Sequence, residues 1–226
     1  GDISKKSFKG RNFHFGVRET GMGAIMNGIQ VHGGFRIYGA TFLVFADYVR
    51  PTTRVAALMN LPVIYVYTHD SFYVGEDGPT HQPIETLMSL RITPNVTVLR
   101  PSDATETKCA WIAALENKSG PTALLLTRQN LPVFDRKELA SACNLKKGAY
   151  TIWESAKSGH DIIIMASGSE VSIAIEAGKK LAGEGKAVRV VSFPSWELFE
   201  KQDAAYKASV LPDECACRLS VEAGAT

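Results

Sequence analysis

Cysteine is scarce, charge is nearly balanced and no hydrophobic stretch is long. The four cysteines, at 109, 143, 215 and 217, follow neither a zinc-binding spacing nor a dense disulfide framework. Cys215 and Cys217 read as small buried hydrophobes facing one side of a strand rather than as metal ligands. The formal charge is +2 with Lys and Arg evenly spread, which argues against nucleic acid or a membrane surface as the main partner. No apolar run approaches membrane-spanning length, and residues 1–13 lack the apolar centre of a signal peptide, so a cytoplasmic location is expected. Two phosphate-binding signatures are missing: Gly21-x-Gly23 has no third glycine, and Gly-x-x-x-x-Gly-Lys-Ser/Thr does not occur. Repeats, heptads and low-complexity tracts are absent too.

What is present suits a folded α/β chain. With 226 residues, 45% hydrophobic and 21% charged, it can bury a core in one large domain or two modest ones. Residues 12–15 read as a short strand, followed by a helix over residues 20–31 whose Gly21, Gly23 and Gly28 invite close approach of another backbone or a ligand. A second strand is expected at 35–38, then a helix over 41–59 kinked or broken at Pro51. Apolar strands follow at 61–67, 96–99 and 123–126. Between them lie a helix opening near Pro83 and another reaching about Asn117, announced by the Asp103 and Glu106 of a capping box.

Residues 131–150 read as a linker, leaving domains at 1–130 and 151–226. The second begins a βαβ unit: a strand at 161–165, a helix capped by Ser169 and running to about Gly183, and a parallel strand at 188–193. A further strand starts near Leu219, and a sheet ending there reads as cut short.

Three groups of residues could do chemistry. Glu19 stands in the first turn of a helix, where exposed N–H groups stabilise a carboxylate. That alone would account for it; an apolar pocket around it would instead raise its pKa and make it a proton donor or relay. The stretch after the strand at 61–67, THDSFYVGEDGPTHQP, gathers His69, Asp70, Glu76, Asp77 and His81 at the carboxyl end of a strand, unless it is simply a solvated acidic loop with incidental histidines. Ligands of open α/β sheets bind at such ends. Two histidines there suit hydroxyl or phosphate binding and proton transfer better than a metal, for which no helical His pair or EF-hand spacing exists. Arg128, just past a buried strand, is either a clamp for phosphate or carboxylate or half of a structural ion pair. Phe42, Phe45 and Tyr48 recur at helical spacing, and on that pattern alone read as core.

At FHFGVRETGMGAIMNGI, TFLVFADYVR, YTHDSFYVGEDGPTHQP, LRPSD, GPTALLLTRQNL, ASGSEV and KQDAAYKASVLP the chain closely resembles transketolase, the thiamine diphosphate enzyme of the pentose phosphate pathway. The resemblance implies a parallel-sheet α/β pyrimidine-binding domain followed by part of a second α/β domain. It implies that Glu19 hydrogen-bonds the N1′ atom of the aminopyrimidine and promotes its imino form, which reverses the plain reading of that residue. Phe42 would stack on the aminopyrimidine, with Phe45 and Tyr48 as its aromatic surroundings. His69 and Arg128 would hold the phosphate of a sugar phosphate, and Asp77 and His81 its hydroxyls, with His81 also catalytic.

The family's Gly-Asp-Gly segment, which with a downstream Asn holds a divalent metal (Mg or Ca) and the diphosphate, has no counterpart here, so no metal ligand is expected in this chain. The resemblance further implies a homodimer with its site between subunits. A fragment of a transketolase, inactive alone, is thus the expected identity. The alternatives are the C-terminal subunit of a split transketolase and a catalytically silent interaction domain.

Overall fold

The computed structural model describes residues 1–225. Four parallel strands, β1 (Tyr38–Phe42), β2 (Ile64–Thr68), β3 (Thr97–Leu99) and β4 (Thr122–Leu125), form a first sheet in the order β1-β2-β4-β3. Side chains alternate across β2 because successive residues of a strand point to opposite faces. Tyr65 and Tyr67 pack with α1 (Glu19–His32), α2 (Ala46–Leu58) and α3 (Thr86–Arg91), whereas Ile64 and Val66 meet α4 (Ala104–Glu116) on the other face. Both faces are covered, as a parallel sheet requires.

The second sheet runs β5-β7-β6-β8, from β5 (Tyr150–Glu154), β6 (Ile162–Ala166), β7 (Val188–Ser192) and β8 (Arg218–Val221). β5 is antiparallel to β7, and the other pairs are parallel. One face packs against α5 (Glu170–Gly183), the other against α6 (Trp196–Glu200) and α7 (Ala204–Val210).

The two sheets meet through buried polar contacts. Glu106, fully buried in α4, accepts from the Ser102 amide at 2.8 Å, from Ser192 Oγ at 2.8 Å and from the Tyr150 hydroxyl. Arg91 makes a two-pronged pair with Glu222, at 2.6 and 2.7 Å. At the amino edge of the first sheet, Asn60 and Asn95 both take left-handed backbone conformations. Asn95 Nδ2 there donates to the Ala57 carbonyl at 2.8 Å and to Asn60 Oδ1 at 3.0 Å.

Several expectations need correction. Residues 12–15 form no strand: Asn12 pairs only in an isolated bridge with Asp2, and without a ladder an extended segment leaves its backbone groups unpaired. The next strand begins at Tyr38 rather than at 35, since Gly33 and Gly34, at φ 84° and 82°, turn the chain before it can lie beside Ile64. α2 continues unbroken through Pro51, its buried face of Val49, Thr53 and Ala56 outweighing the lost N–H donor. α3 opens at Thr86, three residues after Pro83.

Asp103 caps α4 by accepting from the Glu106 amide at 2.7 Å, but Glu106 reaches back to Ser102 rather than to the cap itself. Ser169 holds the cap position of α5 without a side-chain cap bond, its hydroxyl turning to the Glu170 carboxylate. Cys215 and Cys217 precede β8 rather than sharing a strand face, and Cys217 is exposed. Cys109 of α4 and Cys143 of a 3-10 turn over Ala142–Lys147 form a disulfide with their Cα atoms 5.2 Å apart.

Candidate functional site

β1, β2 and β4 lie side by side and point the same way, so their carboxyl ends deliver Phe42, His69 and Arg128 to one edge. Phe42 closes β1 opposite Thr68. A 3-10 turn over Leu43–Phe45 then passes into α2, setting Phe42, Phe45 and Tyr48 in a row with ring centroids 6.1 Å apart at each step. Phe42 and Phe45 are partly buried and Tyr48 is exposed, so the row borders solvent rather than filling the core.

His69 follows β2 in a left-handed conformation, φ 59°, which costs a non-glycine residue about 1–3 kcal/mol and persists where neighbours enforce it. Its ring stacks on Phe42 and its Nδ1 lies 2.9 Å from Thr68 Oγ1. Ser71 Oγ accepts from the Tyr73 amide, and turns at Gly75 and Gly78, both at positive φ, fold the loop back. The return brings His81 edge-on to Phe45, with centroids 5.3 Å apart, and 6.3 Å from Phe42. Burial pushes the His69 pKa below its ordinary value; Asp77 and Asp70 pull it up, while Arg128 and His81 push it further down. His69 is therefore neutral near pH 7, with charges of both signs around it. Arg128 pairs with Glu76 at 2.9 Å on the open surface, where such a pair contributes little stability and leaves the guanidinium available.

Glu19 stands apart. It opens α1, and its carboxylate has no hydrogen-bond or ion-pair partner among the described residues. It lines a cavity of about 1170 Å³ with Met22, Tyr38 and Thr41, whereas Phe42, Phe45, Tyr48, His69, Asp77, His81 and Arg128 do not. The link to the aromatic row is indirect: Thr20 Oγ1 donates to the Tyr48 carbonyl at 2.6 Å, holding the first turn of α1 against that of α2. Thus the structure groups the aromatic row with His69 and His81, sets Asp77 and Arg128 within electrostatic reach of His69, and leaves Glu19 in a cavity that extends to Thr41, the residue before Phe42. No group of three potential metal-binding side chains occurs among the described residues.

Sequence reasoning missed Asp70 and Arg100 as a unit. Arg100 directly follows the buried strand β3, as Arg128 lies just past β4, so the signal that singled out Arg128 marks Arg100 as well. Arg100 has no solvent exposure, and its Nε donates to Asp70 Oδ2 at 2.8 Å.

Fold and site together define a parallel α/β domain, with aromatic and polar groups gathered at the carboxyl edge of its sheet, joined to a second α/β domain. Residues 2–133 match the family described as transketolase, pyrimidine binding domain, and residues 148–226 the transketolase-like C-terminal domain. A transketolase of Bacillus subtilis is 51% identical over 226 residues, covering 100% of this chain and 34% of its own length. The solved transketolase of Pichia stipitis in complex with sedoheptulose 7-phosphate superposes with a TM-score of 0.91 at 47% identity, over 98% of this chain and 33% of that one. A split-gene transketolase, described as an inactive β4 tetramer, gives a TM-score of 0.75 at 27% identity, over 96% of this chain and 67% of that one. The chain belongs to the transketolase family and spans about a third of the length of the curated relatives it matches.

Proposed function

We propose that this chain provides the pyrimidine-side half of a thiamine diphosphate site that transfers a two-carbon ketol unit from a ketose phosphate to an aldose phosphate. The supporting observation is the carboxyl edge of the first sheet, where an aromatic row, two histidines and an arginine converge beside a helix that starts with an unpaired carboxylate. Those residues fit the aminopyrimidine part of the cofactor. The ligands of a divalent metal and of the diphosphate are assigned to sequence outside this chain, in keeping with the share of its relatives that it spans.

The cofactor, when bound, supplies an acidic carbon and an electron sink for cleaving the bond next to the ketose carbonyl. Glu19 holds a proton at N1′ of the aminopyrimidine. Phe42, one face of which His69 covers, offers its other face to that ring, and with Phe45 and Tyr48 keeps water away. His69 and Arg128 grip the sugar phosphate, so that remote binding orients the reacting carbonyl. Asp77 and His81 meet its hydroxyls, and His81 moves a proton there. Such a site forms between the subunits of a homodimer in the cytoplasm, serving the pentose phosphate pathway.

In the intact enzyme, Glu19→Ala is expected to cut ketol transfer by about a hundredfold or more; wild-type turnover would refute the assignment. His69→Ala and Arg128→Ala are expected to raise KM chiefly for phosphorylated donors, and an equal loss with unphosphorylated ones would remove the phosphate role. The split-gene neighbour favours a second reading, in which this chain is part of a separately encoded subunit. The mass of the native polypeptide decides between them.

A further inference from the structure

The carboxyl ends of the two sheets abut at Arg100. Its amide donates to the Pro194 carbonyl at 2.9 Å, and its own carbonyl accepts from the Gly168 amide at 3.0 Å. Its Nη1 reaches the Ser167 carbonyl at 2.9 Å, Ser167 Oγ at 3.0 Å and Glu170 Oε2 at 2.5 Å. Gly168, at φ +56°, lies so close that an added Cβ would come within 2.7 Å of Arg100 Cζ, so the second domain leaves room for this side chain. In an open α/β sheet the crevice beyond the carboxyl ends is where a ligand sits. Here arginines of the first domain occupy that place, Arg100 at Ser167 after β6 and Arg91 at Glu222 after β8.

Arg100 Nε points back into its own domain, while Nη2 has no hydrogen-bond partner among the described residues. Nε donates to the carboxylate of Asp70, which is 3% exposed and directly follows the left-handed His69. The His69 ring is steadied by Phe42 and Thr68, and the carboxylate of the next residue, Asp70, is tied only to Arg100. Burial opposes charge on Arg100, yet Asp70 and Glu170 more than offset this and hold it firmly protonated. A buried arginine facing carboxylates on both sides is a rigid spacer between them.

We propose that Arg100 and Asp70 are positioning residues for sugar phosphate binding: Arg100, seated in the second domain, fixes Asp70, and Asp70 fixes the backbone turn that aims the His69 imidazole. The second domain, which contributes no residue of the proposed site, thereby sets the geometry of the substrate loop. This rests on the reading of His69 as a phosphate ligand.

The test is a double-mutant cycle in the intact enzyme, with KM and kcat measured for phosphorylated and unphosphorylated ketose donors. Asp70→Asn is expected to raise KM for the phosphorylated donor about tenfold when His69 is present and less than about twofold in a His69→Ala background. Equal factors in both backgrounds would show a merely structural role and overturn the proposal. If His69→Ala alone leaves that KM unchanged, the phosphate reading fails, and the proposal with it. Should Asp70→Asn not fold, Ser167→Ala removes one anchor of Arg100 and enters the same cycle with the same two outcomes.

Discussion

The His69 imidazole lies against the Phe42 ring, with centroids 3.6 Å apart and planes 21° from parallel. Burial is the main reason its pKa lies below the ordinary 6.5. Phe42→Ala is therefore expected to raise the His69 pKa toward that value, as read by a histidine NMR titration. An unchanged midpoint would show that the ring is not what desolvates it. Because folding depresses this pKa, the associated stability is present above about pH 6.5 and is lost as pH falls below it.

Glu222 behaves as a paired carboxylate. Burial pushes its pKa up, but the hydrogen bond and charge of Arg91, helped by Ser167 and Arg100, bring it below the ordinary 4.5. Its contribution to stability is present above about pH 4.5 and is lost as pH falls through the depressed value. In Glu222→Gln, urea midpoints should fall less steeply between pH 5 and about pH 3 than in the parent. Parallel acid limbs in the two proteins would count against this origin.

Removing Glu106 should cost far more than removing an exposed carboxylate. Glu106→Ala strands the Ser102 amide and the Tyr150 and Ser192 hydroxyls in the interior, a loss of about 3–5 kcal/mol. Glu106→Gln, which keeps one carbonyl oxygen as acceptor, should lose less. Urea unfolding of the two variants gives the order directly.

Cys109 and Cys143 are 34 residues apart in sequence. Closing a loop of that length stabilises by about 3–4 kcal/mol in the chain-entropy account. Thiol titration of the unfolded protein should find two free cysteines before reduction, Cys215 and Cys217, and four after it. The reduced form should unfold at lower urea.

Much of the fold was legible because its signals are local. Apolar runs such as ALLL and IIIM, short and bounded by turn residues, read as buried strands, and the Asp103 cap lies next to the helix it starts. The failures were of another kind. Residues 12–15 have strand composition but no ladder, and a ladder is a property of two segments. Pro51 looked like a break because the packing of Val49 and Ala56 that holds α2 together is not written at Pro51. In the site, the convergence of Phe42, His69 and Arg128 follows once the order β1-β2-β4 is known, but that order is tertiary. Arg100 and Cys143 find their partners across 30 and 34 residues, beyond the reach of any periodicity.

The asparagine turns at the amino edge of the first sheet mark where this molecule can be altered without touching its chemistry. Asn60 and Asn95 clasp one another a full strand length away from Phe42 and His69, on the side opposite the proposed site. A fluorophore on an exposed neighbour such as Leu58 or Ile92 would report on folding and assembly while leaving the edge that carries Phe42 and His69 open. Parallel strands thus give the domain a working end and a handle.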